Sequence, residues 1–364
     1  MERNVVEKSA PVRVIGLMSG TSMDGIDAAF LETDGQDVVR AGAAVSIPFE
    51  KDFRRRLGAF VGSAPERDAV DAAAIEQEMT DLHADAVRSL TKQVGAVDLI
   101  GFHGQTVWHR PAQRQTWQMG DGARLAKALN VPVVFDFRSE DVRAGGQGAP
   151  LLPVYHAALV GEGARAAVLN LGGVGNLTWV DRASGSLIGF DTGPGNGLID
   201  DWVFAKRGVS MDRNGAIAAA GRVNDAALAK LLDHPYFTAA VPKSLDRFAF
   251  STAPVADLSA EDGAATLTAF TAATVALALR VCPAIPAKLL VTGGGRHNPT
   301  LMRELKARAG VEVAPVESVG WQGDALEAQG FAYMAVRCLK KLPITFPGTT
   351  GVRAPMTGGR VVAP

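Results

Sequence analysis

The chain is expected to be an α/β protein made of two similar halves. Residues 14–30 run strand, turn, strand, with the turn rich in Gly, Ser and Thr. A related strand-turn-strand returns at residues 167–180. Each is followed by the same order of further elements, giving strand-strand-strand-helix-strand-helix-strand twice. At 364 residues the chain is long enough for two domains, each with its own core.

In the first half, strands are expected at residues 12–17, 26–32 and 38–47, the last preceded by a Thr33-Asp34-Gly35 hairpin signal. A helix follows over residues 66–93, because Ile75, Met79, Leu82, Ala86 and Leu90 recur at steps of three and four. A strand at 98–103, a short helix at 121–129 and a strand at 132–135 complete the half. In the second half, strands fall at 167–171, 177–180 and 186–190. Residues 196–259 read as an inserted segment of helices and loops. Ser259, with Asp262 three positions on, then signals a helix start, and Leu267, Phe270, Thr274, Leu277 and Val281 supply its apolar face. A strand at 288–292, a helix at 298–309, a strand at 311–314 and a helix at 323–341 follow.

The expected domains are residues 1–138 plus 343–364 and residues 139–342. Gly145-Gly146-Gln147-Gly148-Ala149-Pro150 is expected to cross between them, and the Pro- and Gly-rich tail to pack as loop on the first.

Hydrophobic residues make up 47% and charged residues 21%, an ordinary globular composition. A net charge of -1 gives no electrostatic footprint for nucleic acid or an anionic membrane. No apolar run is read as reaching the roughly 20 residues of a membrane span. The polar start lacks a signal-peptide core. Cys282 and Cys338 show no metal-ligand spacing and are expected as reduced thiols, which points to the cytoplasm.

Small residues at Gly20-Thr21-Ser22 let backbone N–H groups converge on an anion, and the hydroxyls add donors. The alternative is a solvent-exposed hairpin turn. Asp24 either orients a bound ligand or bonds its own backbone. Asp191, placed at a strand end before Thr192-Gly193-Pro194-Gly195-Asn196, suits a general base; otherwise it caps the next helix. Gln105 and Thr106 offer neutral hydrogen-bond donors and acceptors. His103 beside them reads as a hydrogen-bonded structural residue. Arg138 pairs either with an anionic ligand group or with Asp136 or Asp141. Gly172-Gly173-Val174-Gly175 leads into strand-like Leu177-Thr178-Trp179-Val180 rather than a helix, which disfavours a dinucleotide fold. The six histidines show no zinc spacing.

The two turns, together with Thr292-Gly293-Gly294-Gly295-Arg296-His297-Asn298 after a late strand, resemble the sugar kinase, Hsp70 and actin superfamily. More narrowly, the chain resembles the anhydro-N-acetylmuramic acid kinase family. The resemblance rests on residues 16–25, Gly101-Phe102-His103-Gly104-Gln105-Thr106, Gln118-Met119-Gly120-Asp121, Asp136-Phe137-Arg138, residues 169–176, residues 190–196, and Gly293-Gly294-Gly295 with Asn298.

The resemblance implies two ribonuclease H-like domains with an interdomain cleft, the first carrying one phosphate turn and part of the sugar site, the second the other phosphate turn, the catalytic Asp191 and the adenosine site. It implies ATP and Mg2+ as cofactors, with ATP held by Gly20, Thr21, Ser22, Met23, Asp24, Gly25, Ile26, Asp27, Gly172, Gly173, Asn176, Gly293, Gly294 and Gly295. It implies sugar contacts from Asp24, Gln105, Thr106, Arg138 and Glu327, with Asp191 activating water. The implied reaction opens 1,6-anhydro-N-acetylmuramic acid with water and phosphorylates O6, giving N-acetylmuramic acid 6-phosphate. That places the enzyme in peptidoglycan recycling and amino sugar catabolism, as a homodimer. The alternative is a kinase for another small sugar or carboxylate on the same fold. One departure is Met18, which stands where many superfamily members place a magnesium-orienting Asp, so the metal ligands are left unassigned.

Overall fold

The computed structural model describes residues 10–20, 23–62, 69–246 and 249–364. Along the chain come β1 (Val12–Ser19), β2 (Gly25–Thr33), β3 (Val39–Pro48), α1 (Lys51–Gly58), α2 (Ala69–Val94), β4 (Leu99–Arg110), β5 (Gln115–Met119), α3 (Gly122–Leu129) and β6 (Val133–Phe135). Two short helices, α4 (Ser139–Arg143) and α5 (Pro153–Leu159), lead to β7 (Arg165–Leu171), β8 (Val174–Asp181) and β9 (Ser186–Pro194). Then follow α6 (Gly197–Arg207), α7 (Ala216–Ala220), α8 (Asp225–Leu232), α9 (Ala260–Arg280), β10 (Lys288–Thr292), α10 (Pro299–Arg308) and β11 (Glu312–Pro315). The chain ends with α11 (Leu326–Leu339), α12 (Pro347–Thr350) and β12 (Arg360–Val362).

These elements form two compact units. The first comprises the described residues up to Leu159 with Ala325–Phe346 and Val352–Pro364; the second comprises Val160–Asp324 and Pro347–Gly351. In the first, the sheet order is β12-β6-β4-β1-β2-β3, with β5 added beside β4. In the second it is β11-β10-β7-β8-β9. Both sheets pair three successive strands antiparallel and set two later strands parallel to the first of them. This repeated order is the ribonuclease H-like arrangement in each unit.

Strand alternation assigns the faces of the first sheet. Ile15, Leu17, Ile26, Ala28 and Phe30 join Ile75, Met79, Val87 and Leu90 of α2 in one core. Gly16 and Gly101 lie under α11. A Cβ on Gly16 would stand 1.8 Å from the carbonyl oxygen of Ala328, and one on Gly101 would stand 2.3 Å from that of Phe331. Only glycine lets that helix lie so close on β1 and β4, which also fixes where its first turn, with Glu327, begins. In the second unit, Ala167, Leu169, Leu171, Leu177 and Phe190 pack against α9 and α10. The inserted helices α6, α7 and α8 form a further core on α9 around Trp202, Leu228 and Phe270.

The unit limits differ from the expected boundary at 138. Residues up to 159 and the helix α11 belong to the first unit, because α11 rests on its sheet at Gly16 and Gly101. Gly145–Pro150 therefore lies inside that unit, where the Gly148 amide donates to Asp141 Oδ1 at 2.7 Å. Against the reading that no apolar run reaches a membrane span, helix α9 is long and apolar enough by length and composition: it has 21 residues, and its most apolar 18-residue window has a mean hydropathy of 1.4 and is 83% buried. It is a core helix whose Thr268 and Thr274 hydroxyls donate to its own carbonyls, as threonine does in an apolar setting. The basic run 51–56 is the charged face of α1, which buries Phe53 and Leu57.

Replacing Gly16 with alanine is expected to lower unfolding free energy by about 3 kcal/mol, since the clash is with backbone that cannot swing aside. Urea denaturation of the variant checks this; a loss below about 0.5 kcal/mol would show that α11 shifts without cost.

Candidate active site

In the second unit the residues singled out from sequence come together around one turn. Gly172 and Gly173 link β7 to β8, and their carbonyls are taken by the amides of Asn196 at 2.7 Å, Gly195 at 3.0 Å and Gly197 at 3.1 Å. In a planar trans peptide the N–H points away from its C=O, so the turn's amides face away from residues 195–197. No heavy atom beyond its chain neighbours lies within 4 Å of a Cβ position on Gly173, which leaves space for a ligand. Gly293, with φ +76°, lies against Asn170 and the Leu171 carbonyl; a Cβ there would stand 2.3 Å from Asn170 Oδ1. Gly294 faces open space and Gly295 packs on Leu171. Arg296 fastens this loop, donating to the Gly293 carbonyl at 2.9 Å and pairing with Glu317 at 2.8 Å and Asp324 at 2.7 Å.

Asp191 is buried, at 8% exposure, and sits opposite Asn176 in the β8–β9 ladder. That partner lies three residues along the chain from Gly173, about 10 Å at strand rise. Here the structure corrects the sequence reading, which ended the strand at 190: β9 runs on to Pro194, so Asp191 lies inside it. The sequence pattern Thr-Gly-Pro-Gly suggests a turn, but Gly193 and Pro194 still pair with Gly175 and Val174. Likewise Asn176 is a strand residue, not part of the turn.

In the first unit, Gly20 accepts at its carbonyl from Met23 N–H at 3.0 Å and from Gln105 Nε2 at 3.1 Å. Thr21 and Ser22 lie outside the described residues. Met23 has φ +52°, Asp24 is exposed and Asp27 half-buried. Gly25 closes against the Ile47 carbonyl, and Ile26 points its side chain into the core, so any part it plays in holding a ligand is through main chain. Met18 is buried in β1 opposite Asp27.

Gln105 is fully buried, and its Oε1 has no hydrogen-bond partner. Such an acceptor costs free energy unless something donates to it. The sequence reading ended this strand at 103 and missed the β4–β5 hairpin, which sets Thr106 opposite Gln118. Gln118 Nε2 donates to Thr106 Oγ1 at 3.3 Å and Thr116 Oγ1 at 2.8 Å, while its Oε1 is buried without a partner. Sequence reading quoted Gln118 but assigned it no role.

Arg138 is held by a histidine ring and a main-chain carbonyl. Its Nε and Nη2 donate to His103 Nε2 at 3.1 and 2.9 Å, and its Nη1 to the Gly148 carbonyl at 2.7 Å. Asp136 accepts from Ser139, and Asp141 accepts from the Gly148 amide. The His103 ring bonds the Gly104 carbonyl through Nδ1 and lies 4.4 Å from the Phe331 ring. Its Nε2 is thus a neutral acceptor that orients the guanidinium. Glu327 lies half-buried in the first turn of α11.

Among the described residues no three His, Cys, Asp or Glu side chains converge as a metal cage. A magnesium ion carried by nucleotide phosphates needs only one or two carboxylates. Asp24 and Asp27 are acidic side chains in the segment expected to hold ATP, and Met18 offers none. Both cysteines are free, with their thiols pushed up to about 12 by burial, which makes them poor nucleophiles.

The family model described as anhydro-N-acetylmuramic acid kinase matches residues 12–364. The chain belongs to the anhydro-N-acetylmuramic acid kinase family. A relative from Rhizorhabdus wittichii bearing that name is 56% identical over 354 residues, covering 95% of this chain and 97% of its own. One from Rhodospirillum rubrum is 54% identical over 355 residues, covering 97% of this chain and 95% of its own. Among solved structures, a ROK family glucokinase from Streptomyces griseus, in complex with glucose and AMPPNP, is 13% identical with a TM-score of 0.41, covering 89% of this chain and 99% of that one. At that score the likeness carries no argument, and the fold rests on its strand order.

Three buried imidazoles give a pH signature. Burial lowers His83 to about 4 and His156 to about 3. His103 lies well below the ordinary histidine value through burial first and the Arg138 charge second. The unfolded chain takes up a proton at each near pH 6.5 and the native state does not, so stability present above 6.5 is lost as pH falls towards the native values. Each contributes a slope of about 1.4 kcal/mol per pH unit. The urea midpoint is expected to drop from pH 7 to 4.5, and to drop less steeply in His83→Leu. A midpoint flat over that range would contradict neutral burial.

Proposed function

We propose that this kinase acts on 1,6-anhydro-N-acetylmuramic acid, with ATP as phosphoryl donor, and that Asp191 is its general base. The observation that carries the reading is a buried carboxylate one short strand segment from a glycine turn with open space beside Gly173. Family membership supports the substrate. A kinase for another small sugar or carboxylate is not favoured by that membership.

In this reading Asp191 takes a proton from water as the water oxygen attacks the anomeric carbon. The bond from that carbon to O6 breaks, and O6 takes the γ-phosphoryl group as ADP departs. The base delivers water opposite the leaving oxygen, as in an inverting glycosidase. No carboxylic acid need protonate O6, because phosphorus traps it.

ATP is assigned to Gly20, Thr21, Ser22, Met23, Asp24, Gly25, Ile26 and Asp27 of the first unit. In the second unit it is assigned to Gly172, Gly173, Asn176, Gly293, Gly294 and Gly295. Main-chain amides supply fixed donors where phosphate charge develops. The sugar is assigned to Asp24, Gln105, Thr106, Arg138 and Glu327. The orphaned Gln105 Oε1 suits an acetamido N–H or a hydroxyl, and the oriented Arg138 suits the lactyl carboxylate. Magnesium enters with the nucleotide, where it would neutralise phosphate charge. The family resemblance also supports a cytoplasmic homodimer, and sedimentation of the purified protein checks the dimer.

Asp191→Asn is expected to lower sugar phosphorylation at least 100-fold while ATP affinity by calorimetry stays within about twofold. Turnover near the wild-type rate would remove the base assignment. Arg138→Ala should raise KM for the anhydro sugar about tenfold or more with KM for ATP little changed; a rise confined to ATP would move Arg138 to the phosphates.

A further inference from the structure

The inserted segment between α6 and α9 lies outside the repeated plan, yet it returns to the carboxylate. The Tyr236 hydroxyl donates to the Asp191 carbonyl at 2.6 Å. The Asp191 amide donates to the Lys243 carbonyl at 2.9 Å. The Leu245 amide donates to Asp191 Oδ2 at 2.7 Å. One segment thus grips the main chain and the side chain of the same residue.

The strand order explains why such a grip is needed. β9 is the edge of its sheet, so the main-chain groups of Asp191 turned away from β8 would otherwise face no partner strand. Tyr236 and Lys243 occupy them. The segment is braced in turn. Lys243 Nζ donates to the Tyr236 carbonyl at 2.6 Å and lies 4.3 Å from the centre of its ring. Phe237 and Phe250 pack edge-on to that ring at 5.7 and 6.3 Å.

A carboxylate on a strand edge can rotate about its side-chain bonds. A general base must instead keep one aim, because small misplacements cost large factors in rate. The Leu245 amide bonds one carboxylate oxygen and so removes that rotation, while Tyr236 and the Lys243 carbonyl hold the strand beneath it. We propose that Tyr236 and Leu245 are positioning residues for the water-delivering step, with the inserted segment serving as a clamp on the base. The inference rests on Asp191 being that base.

Two variants test it. One replaces Leu245 with its α-hydroxy acid by nonsense suppression, exchanging only the N–H for oxygen. The other is Tyr236→Phe. With the full-length enzyme, kcat is expected to fall about tenfold in the first and about threefold or more in the second, with KM for sugar and ATP within twofold of wild type. Asp191→Asn is run beside them. If it stays active, the base reading fails. If it is inactive while both variants keep wild-type kcat, the base stands and the clamp is overturned. A rise in either KM with kcat unchanged also overturns it. Should the ester-containing chain fail to fold, Tyr236→Phe alone decides by the same criteria.

Discussion

The second unit depends on one set of main-chain hydrogen bonds, those from Gly195, Asn196 and Gly197 to the carbonyls of Gly172 and Gly173. They close the end of the β7–β8 hairpin against the segment that follows β9. Because peptide units are planar, committing those carbonyls also commits the direction of the amides. The same closure holds β9 in register with β8, and so places Asp191 opposite Asn176. Asn196 Nδ2 adds a bond to the Leu171 carbonyl, which draws the Gly293 loop into the same arrangement. The open glycine turn and the buried Asp191 carboxylate are thus two results of one constraint.

The first unit shares the strand order but offers different chemistry. Around Gln105 and Arg138 it presents side chains: a buried amide with an unpartnered oxygen, a hydroxyl held by a second amide, and a guanidinium aimed by a neutral imidazole. The imidazole is itself packed on Phe331 of α11, the helix that Gly16 and Gly101 admit to the sheet. Close packing and polar orientation are therefore linked: moving α11 outward would loosen both His103 and the turn that carries Glu327.

Much of the fold was legible because alternation and helical spacing are local. Strand positions, the capped start of α9 at Ser259 and the repeated order all follow from neighbours in sequence. Where polar ligand-binding patterns and strand patterns compete, the local signal fails. Gly104 to Thr106 and Thr192 to Gly195 resemble loops, yet all but the last lie inside strands, with Gln105, Thr106, Gly193 and Pro194 held by register to a partner. The partners of the site residues were illegible for another reason. Arg138 meets His103 across 35 positions, and Asp191 meets Tyr236 and Leu245 across 45 and 54. No spacing rule connects them; only the closed sheet edge does.

The central claim is that water opens the anhydro ring and that the freed oxygen is the phosphoryl acceptor. Incubation with ATP and 1,6-anhydro-N-acetylmuramic acid in 18O-labelled water, followed by mass spectrometry of the sugar product, tests it directly. The account predicts a mass gain equal to phosphate plus water, with label at the anomeric carbon above that of an exchange control. A gain of phosphate alone, or label no higher than exchange, would contradict it.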